Sequence, residues 1–235
     1  TLRNMVRQLR ERFPLLAERQ LAAASILSRV SPEDQARLAA DGVACQCLVR
    51  LADRDYDQLV APLSVEEAVP PPPGPLPALD TLSVKAALPD PRRGTGIGAY
   101  LDGCRALAEA LVPALRRELP AGGSLLVLGT EECMYPALAA GAAAGASGHW
   151  SAVRCHATTR SPIGICHGAD YPIQNGVLLP SFYGDGRRTY LYDLAAYDAA
   201  VVVTDAPETT AAAALPQLAA ALGQRGCPRL YLCEI

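Results

Sequence analysis

Between Ala61 and Arg93 the chain changes character: Pro70 to Pro73 are followed by Gly74, Pro75 and Pro77. Proline fixes φ and lacks a backbone donor, so such a run forms neither helix nor central strand and favours an extended polyproline conformation. Residues 62–93 therefore read as a linker, closed by the turn-like cluster Pro89, Asp90, Pro91, Arg92, Arg93, Gly94. This divides the 235 residues into an N-terminal segment, residues 1–61, and a C-terminal segment, residues 94–235. Arg92 or Arg93 could reach back to an anion in the C-terminal segment; a solvated basic turn is the plainer alternative.

The N-terminal segment opens on a helical pattern, with Leu2, Met5, Val6 and Leu9 on one face and Arg3, Arg7 and Arg10 on the other. A strand over 21–27 follows, then a helix capped by Ser31 with Pro32 at its first position, then Gly42 and a strand over 43–51. These elements read as half of an α/β sheet. A helix that begins at the first residue, Thr1, suggests a chain that has lost what precedes it; a complete domain of about 60 residues would be marginal in size.

The C-terminal segment has the order of an α/β sheet. Leu101, Cys104, Ala108, Leu111, Leu115 and Leu119 recur at helical spacing from Gly98 onward, with Pro113 expected to kink the helix. After Gly122 and Gly123, the apolar run Ser124 to Leu128 reads as a strand buried on both faces. The loop Gly129, Thr130, Glu131, Glu132 follows, then an alanine-rich helix over about 135–146. Further strands are expected over 151–157, 199–204 and 230–233, with a helix from about Thr210 to Leu222. Residues 164–192 lack a helical period and carry tyrosine, glycine and proline, the pattern of an irregular hairpin or lid. The fold class is α/β, a mostly parallel sheet with flanking helices, Rossmann-like or phosphoribosyltransferase-like, preceded by a small α/β remnant.

Ligands of parallel sheets collect where loops leave the C-terminal strand ends. There the run Thr158, Thr159, Arg160, Ser161 and Pro162 offers hydroxyls and a guanidinium to one anion, phosphate or carboxylate. Gly129 permits close backbone approach, and backbone amides at the following helix start can hold an anion. Glu131 and Glu132 are equally suited to capping that helix or to holding a metal, a sugar hydroxyl or an amine. Asp205 stands at the end of the 199–204 strand. His156 adjoins the run and could act as acid or base, while His149 and His167 flank glycine-rich turns; a hydrogen-bonded or surface role is the plainer reading of each. No nucleophile with its base and orienter can be named.

Four segments resemble the TRSP domain family in order: Gly129–Glu132 with Met134, Tyr135 and Pro136; Thr158–Pro162; Tyr171–Ile173; and Leu179–Ser181. Tyr190, Leu191 and Tyr192 form a fifth element, which ends in Asp193 where the resemblance expects asparagine. The resemblance implies a bacterial module C-terminal to a phosphoribosyltransferase domain, in operons tied to tellurite resistance and stress. Thr1, Leu2, Arg3 and Asn4 look like residues just after the Thr-Gly loop that binds the phosphoribosyl donor in type I phosphoribosyltransferases. On this reading 1–61 is a transferase remnant without its donor loop, and this chain lacks transferase activity. The parent would transfer phosphoribosyl from phosphoribosyl pyrophosphate, with magnesium as its companion, to a nitrogenous acceptor. For the TRSP domain itself the expected guest is a phosphorylated or nucleotide-like small molecule. Arg160 would pair the anion, Thr158, Thr159 and Ser161 would donate to it, Gly129 and Thr130 would approach by backbone, and Glu131 or Asp205 would meet a sugar hydroxyl or metal. The order of elements, ending in Asp205, Thr209 and Thr210, also matches a divergent phosphoribosyltransferase core, although Ala211 stands where a glycine would cradle phosphate. A non-catalytic sensing or assembly domain regulating the transferase is the alternative, and a purely structural brace through Arg160 is the plainest one.

Composition narrows the partners. A net charge of −3 does not suit a general nucleic-acid or anionic-membrane surface. No apolar run reaches the ~18 residues of a membrane span. The eight cysteines include no Cys-x-x-Cys pair and read as reduced core thiols of a cytoplasmic protein. Homo-oligomerisation is left open.

Overall fold

The computed structural model describes residues 2–52, 54–82, 84, 86–168, 170–184 and 186–235, so the expectation attached to Thr1 lies outside the described residues. The chain forms two compact units, Thr1–Pro62 and Leu63–Ile235.

In the first unit, helix α1 (Leu2–Arg12) precedes strand β1 (Leu21–Ser28), helix α2 (Pro32–Ala40), strand β2 (Val43–Arg50) and a short helix α3 (Tyr56–Val60). Ser31 accepts the Asp34 N–H at 3.1 Å and Pro32 opens the helix, which is why α2 begins there. β1 and β2 pair in parallel, Leu21 opposite Val43. Val6, Leu38 and Val43 form the core. The expected apolar face of α1 is only partly used, since Met5 and Leu9 are exposed. Arg3 and Arg10 of its other face both bind Asp41, through the carboxylate and the carbonyl respectively. Ile26, Leu27, Leu48 and Val49 are exposed on the two strands, Leu48 at 83%.

The second unit is built on a parallel sheet of five strands in the order β3-β9-β8-β4-β5, where β3 is Ala78–Thr81 at one edge. Strand β4 (Ser124–Gly129), strand β8 (Ala199–Thr204) and strand β9 (Arg229–Glu234) fill its middle, with β5 (Ala152–Ala157) at the other edge. Period-two alternation divides their apolar side chains between two cores. Leu125, Val127, Val201 and Tyr231 meet the layer of helix α4 (Ile97–Glu118) and helix α5 (Met134–Ala146). Leu126, Leu128, Val202 and Leu230 meet helix α6 (Glu208–Gln224) and the antiparallel hairpin of β6 (Gly176–Pro180) and β7 (Arg188–Tyr192). The fold class is therefore as expected, an α/β sheet with helices on both faces. α4 is unbroken through Pro113.

The stretch expected as a linker lies within the second unit. Ala78–Thr81 forms the edge strand β3, beside β9, with Ala78 opposite Arg229. Glu66 and Val69 bridge Ile165 and Val177, and Gln224 donates to the Pro72 carbonyl. Proline removes donors but not carbonyls, so an extended proline segment can still be held by side chains and by edge pairing on either side of it.

From β4 the chain crosses by α5 to β5 on one side, then returns through the hairpin to β8 on the other. The C-terminal ends of β4 and β8 thus define the topological switch point of the sheet, where ligands of open α/β folds bind.

Candidate functional site

The loop leaving β4 turns abruptly into α5. A Cβ on Gly129 would stand 2.6 Å from the Cys133 carbonyl oxygen and 3.0 Å from the Met134 Cα, so only glycine lets the helix begin this close to the strand end. Thr130 is fully buried; its hydroxyl lies 2.7 Å from that of Thr204, tying the ends of β4 and β8. Its N–H donates to Val203 at 3.3 Å. Both residues therefore organise the switch point with backbone groups already engaged.

Glu131 adopts a left-handed φ of 45° and is buried, its side chain 1% exposed. A non-glycine residue held there signals a constraint from its surroundings. Its N–H donates to the Thr158 hydroxyl at 2.9 Å. One carboxylate oxygen accepts from Arg160 Nε and the other from the Ser181 hydroxyl, each at 2.7 Å. One buried carboxylate thereby joins the β4 loop, the segment after β5 and the end of β6. Neither sequence reading of Glu131, helix cap or direct ligand, describes these contacts.

The run after β5 is braced on both sides. Thr158 is buried against Glu131 and donates its N–H to Gly129 at 3.0 Å. Thr159 exchanges backbone hydrogen bonds with Tyr190, and its hydroxyl accepts the Ser161 N–H at 3.2 Å. Ser161 is exposed, and its carbonyl accepts from the Tyr192 hydroxyl at 3.2 Å. Among the described residues the two terminal nitrogens of Arg160 have no hydrogen-bond partner; the side chain is 36% exposed.

A second cluster forms beside it. Asp205, just past β8, receives Arg92 through both terminal nitrogens, at 2.7 and 3.1 Å, and the Tyr183 hydroxyl. Arg92 also lies over the Tyr183 ring, 5.1 Å from its centroid, and bonds Asp90 at 3.1 Å. Burial pushes the Asp205 carboxyl upward, but hydrogen bonds from Arg92 and Tyr183 outweigh it and hold the group below the usual carboxylate range. Burial, then the adjoining carboxylate, pushes the Tyr183 hydroxyl up.

Between the two clusters opens a cleft of about 590 Å³ lined by Pro91, Arg92, Glu132, Arg160, Tyr183 and Arg187. Of the residues expected to form the site, Arg160 lines this cleft; Glu131, Thr158 and Thr130 lie beneath it in hydrogen-bonded positions, and Asp205 holds its Arg92 wall. Tyr183 falls in the stretch read as an irregular hairpin or lid, whereas Arg187 escaped the sequence reading because nothing in its local pattern distinguishes it from a solvated loop residue. The Arg92 signal was present, as a basic turn able to reach an anion site.

The histidines stand apart from the cleft lining. His149 Nε2 pairs with the Leu119 carbonyl at 3.1 Å, His167 is exposed, and burial on β5 lowers the His156 pKa. Magnesium takes oxygen ligands. Both oxygens of Glu131 and of Asp205 already accept hydrogen bonds, and each carboxylate carries a guanidinium, an arrangement that does not fit a cation.

A family model described as TRSP domain, C terminus to PRTase_2, matches residues 99–222, just over half of the chain. No curated protein and no solved structure matches.

Proposed function

The chain belongs to the TRSP domain family, the domain C-terminal to PRTase_2, and we propose that its second unit binds a phosphorylated small molecule in the arginine-lined cleft. The observation that carries this reading is the cleft itself: about 590 Å³ at the switch point of a parallel sheet, lined by Arg92, Arg160, Arg187 and Glu132, with the two terminal nitrogens of Arg160 unbonded among the described residues. Arginine presents a planar set of donors matched to phosphate; the Nε bond to Glu131 fixes the Arg160 plane and leaves its two terminal nitrogens for a ligand, while Arg92, whose terminal nitrogens already serve Asp205, Asp90 and Tyr183, forms the wall beside it. The parent protein, on this reading, transfers phosphoribosyl from phosphoribosyl pyrophosphate to a nitrogenous acceptor, and this domain senses a phosphorylated participant. Regulation is favoured over chemistry in the domain itself because Glu131 and the half-buried Asp205 each already accept from a guanidinium and a hydroxyl, so neither of these two stands ready as a base.

The test is a denaturation screen of the full chain against phosphoribosyl pyrophosphate, ribose 5-phosphate, nucleoside monophosphates and pyrophosphate, with and without magnesium. Trp150 is the single tryptophan and is buried in the second unit, so its emission reports that unit. A ligand at 100 times its dissociation constant adds about 2.7 kcal/mol. Stabilisation lost in the double variant Glu131→Gln, Arg160→Gln supports the reading, and no stabilisation by any of these compounds refutes it.

A further inference from the structure

A second, smaller cavity of about 190 Å³ adjoins the arginine cleft and shares Pro91, Arg92 and Glu132 with it. Its walls mix apolar side chains with carboxylates. Leu88, Tyr100, Cys133 and Pro136 are apolar or aromatic, and Asp90 and Asp205 bring carboxylates. Burial pushes the Cys133 thiol up to about 12, so that wall is neutral at physiological pH. The Tyr100 ring stands 6.0 Å from the Tyr135 ring, tilted by 31°, which extends the aromatic surface outward along α4 and α5.

The two compartments thus differ in chemistry across one shared wall. Pockets that hold a whole small ligand measure roughly 300–1,000 Å³. The larger cleft lies within that range and the smaller does not, so the smaller takes a fragment, one ring system. Arginines on one side suit phosphate; a tyrosine ring and prolines beside the carboxylates of Asp90, Asp205 and Glu132 suit a flat heterocycle that bears N–H donors. Glu132 borders both and can accept hydrogen bonds from hydroxyls lying between ring and phosphate.

Resting on the phosphate reading above, we propose that the ligand is a nucleoside 5′-phosphate, its phosphate at the terminal nitrogens of Arg160 beside Arg187, its sugar at Glu132 and its base in the Tyr100 compartment. Arg92 is the partition between the two halves and is held there by Asp205 and Asp90. Position along the ligand is therefore set by a residue that precedes the helices and central strands of the sheet core.

Calorimetric titration of the full chain with ribose 5-phosphate, AMP and UMP tests this, using wild type, Tyr100→Ala and Tyr100→Phe. AMP is expected to bind at least about tenfold more tightly than ribose 5-phosphate, the order of one base–aromatic contact. Tyr100→Ala should erase that advantage while leaving ribose 5-phosphate unchanged, and Tyr100→Phe should keep it. Equal affinity of ribose 5-phosphate and AMP in wild type overturns the base compartment and leaves the arginine cleft standing; that comparison needs no variant. Equal weakening of both ligands by Tyr100→Ala overturns it too. Binding by none of the three overturns the base compartment, and with ribose 5-phosphate silent it counts against the phosphate reading as well.

Discussion

Removing Arg160 alone leaves the Glu131 carboxylate buried with only the Ser181 hydroxyl to balance it. Breaking a buried pair costs more than the pair contributes, so Arg160→Ala should destabilise the second unit by about 2–4 kcal/mol. The double variant Glu131→Gln, Arg160→Gln leaves no stranded charge and should cost about half as much or less; urea unfolding followed at Trp150 measures both. If the two variants lose the same stability, Glu131 is not the partner that Arg160 serves. Asp205 makes a prediction in pH. Its folded-state pKa is depressed, so its contribution is complete above the ordinary carboxylate titration near pH 4 and fades as pH falls toward the folded value. Asp205→Asn should therefore flatten the loss of stability below about pH 4 relative to wild type. A sequence reading finds the residue types at this site and misses the partnerships: Glu131 lies 29 residues from Arg160 and 50 from Ser181. Asp193 is a case where local physics suffices. Its φ is 53°, a conformation in which asparagine and aspartate are both enriched, so the expected asparagine and the aspartate present meet the same need.

At the scale of elements, the central strands were legible because both faces of a middle strand are apolar, which turns Ser124–Leu128 and Ala199–Val203 into continuous apolar runs. Strand β3 was not legible: its four residues, Ala-Leu-Asp-Thr, are all exposed and carry no apolar alternation, and the free edge of β9 recruits them. The proline segment also misled, since its composition describes its conformation but not where it rests. Gly223 in α6 tests that placement by sign. In a helix free of tertiary contact, Gly→Ala stabilises by about 1 kcal/mol. Here a Cβ on Gly223 would stand 1.9 Å from the Pro75 carbonyl oxygen, so Gly223→Ala should instead destabilise, and should open residues 70–77 to proteolysis. A stabilised variant would mean that the proline stretch does not rest on α6.

For the molecule as a whole, the first unit rests, among the described residues, on three buried apolar side chains and a two-stranded parallel sheet, against two extensive cores in the second. Hydrogen exchange of the intact chain should show amides of β1 and β2 opening at lower free energy than those of β4 and β8, with Trp150 emission tracking the latter. The switch point of the second unit could be placed from the order of its elements, but the cleft beside it depends on Arg92, Tyr183 and Arg187, which come from segments without regular patterning. That cleft is the central claim, and phosphorus NMR of ribose 5-phosphate titrated with the full chain addresses it most directly. The prediction is a saturable shift of the phosphate resonance with wild type that vanishes with Glu131→Gln, Arg160→Gln while Trp150 still reports a folded unit. An unshifted resonance with wild type, or an equal shift with the folded double variant, contradicts an arginine-held phosphate at this site.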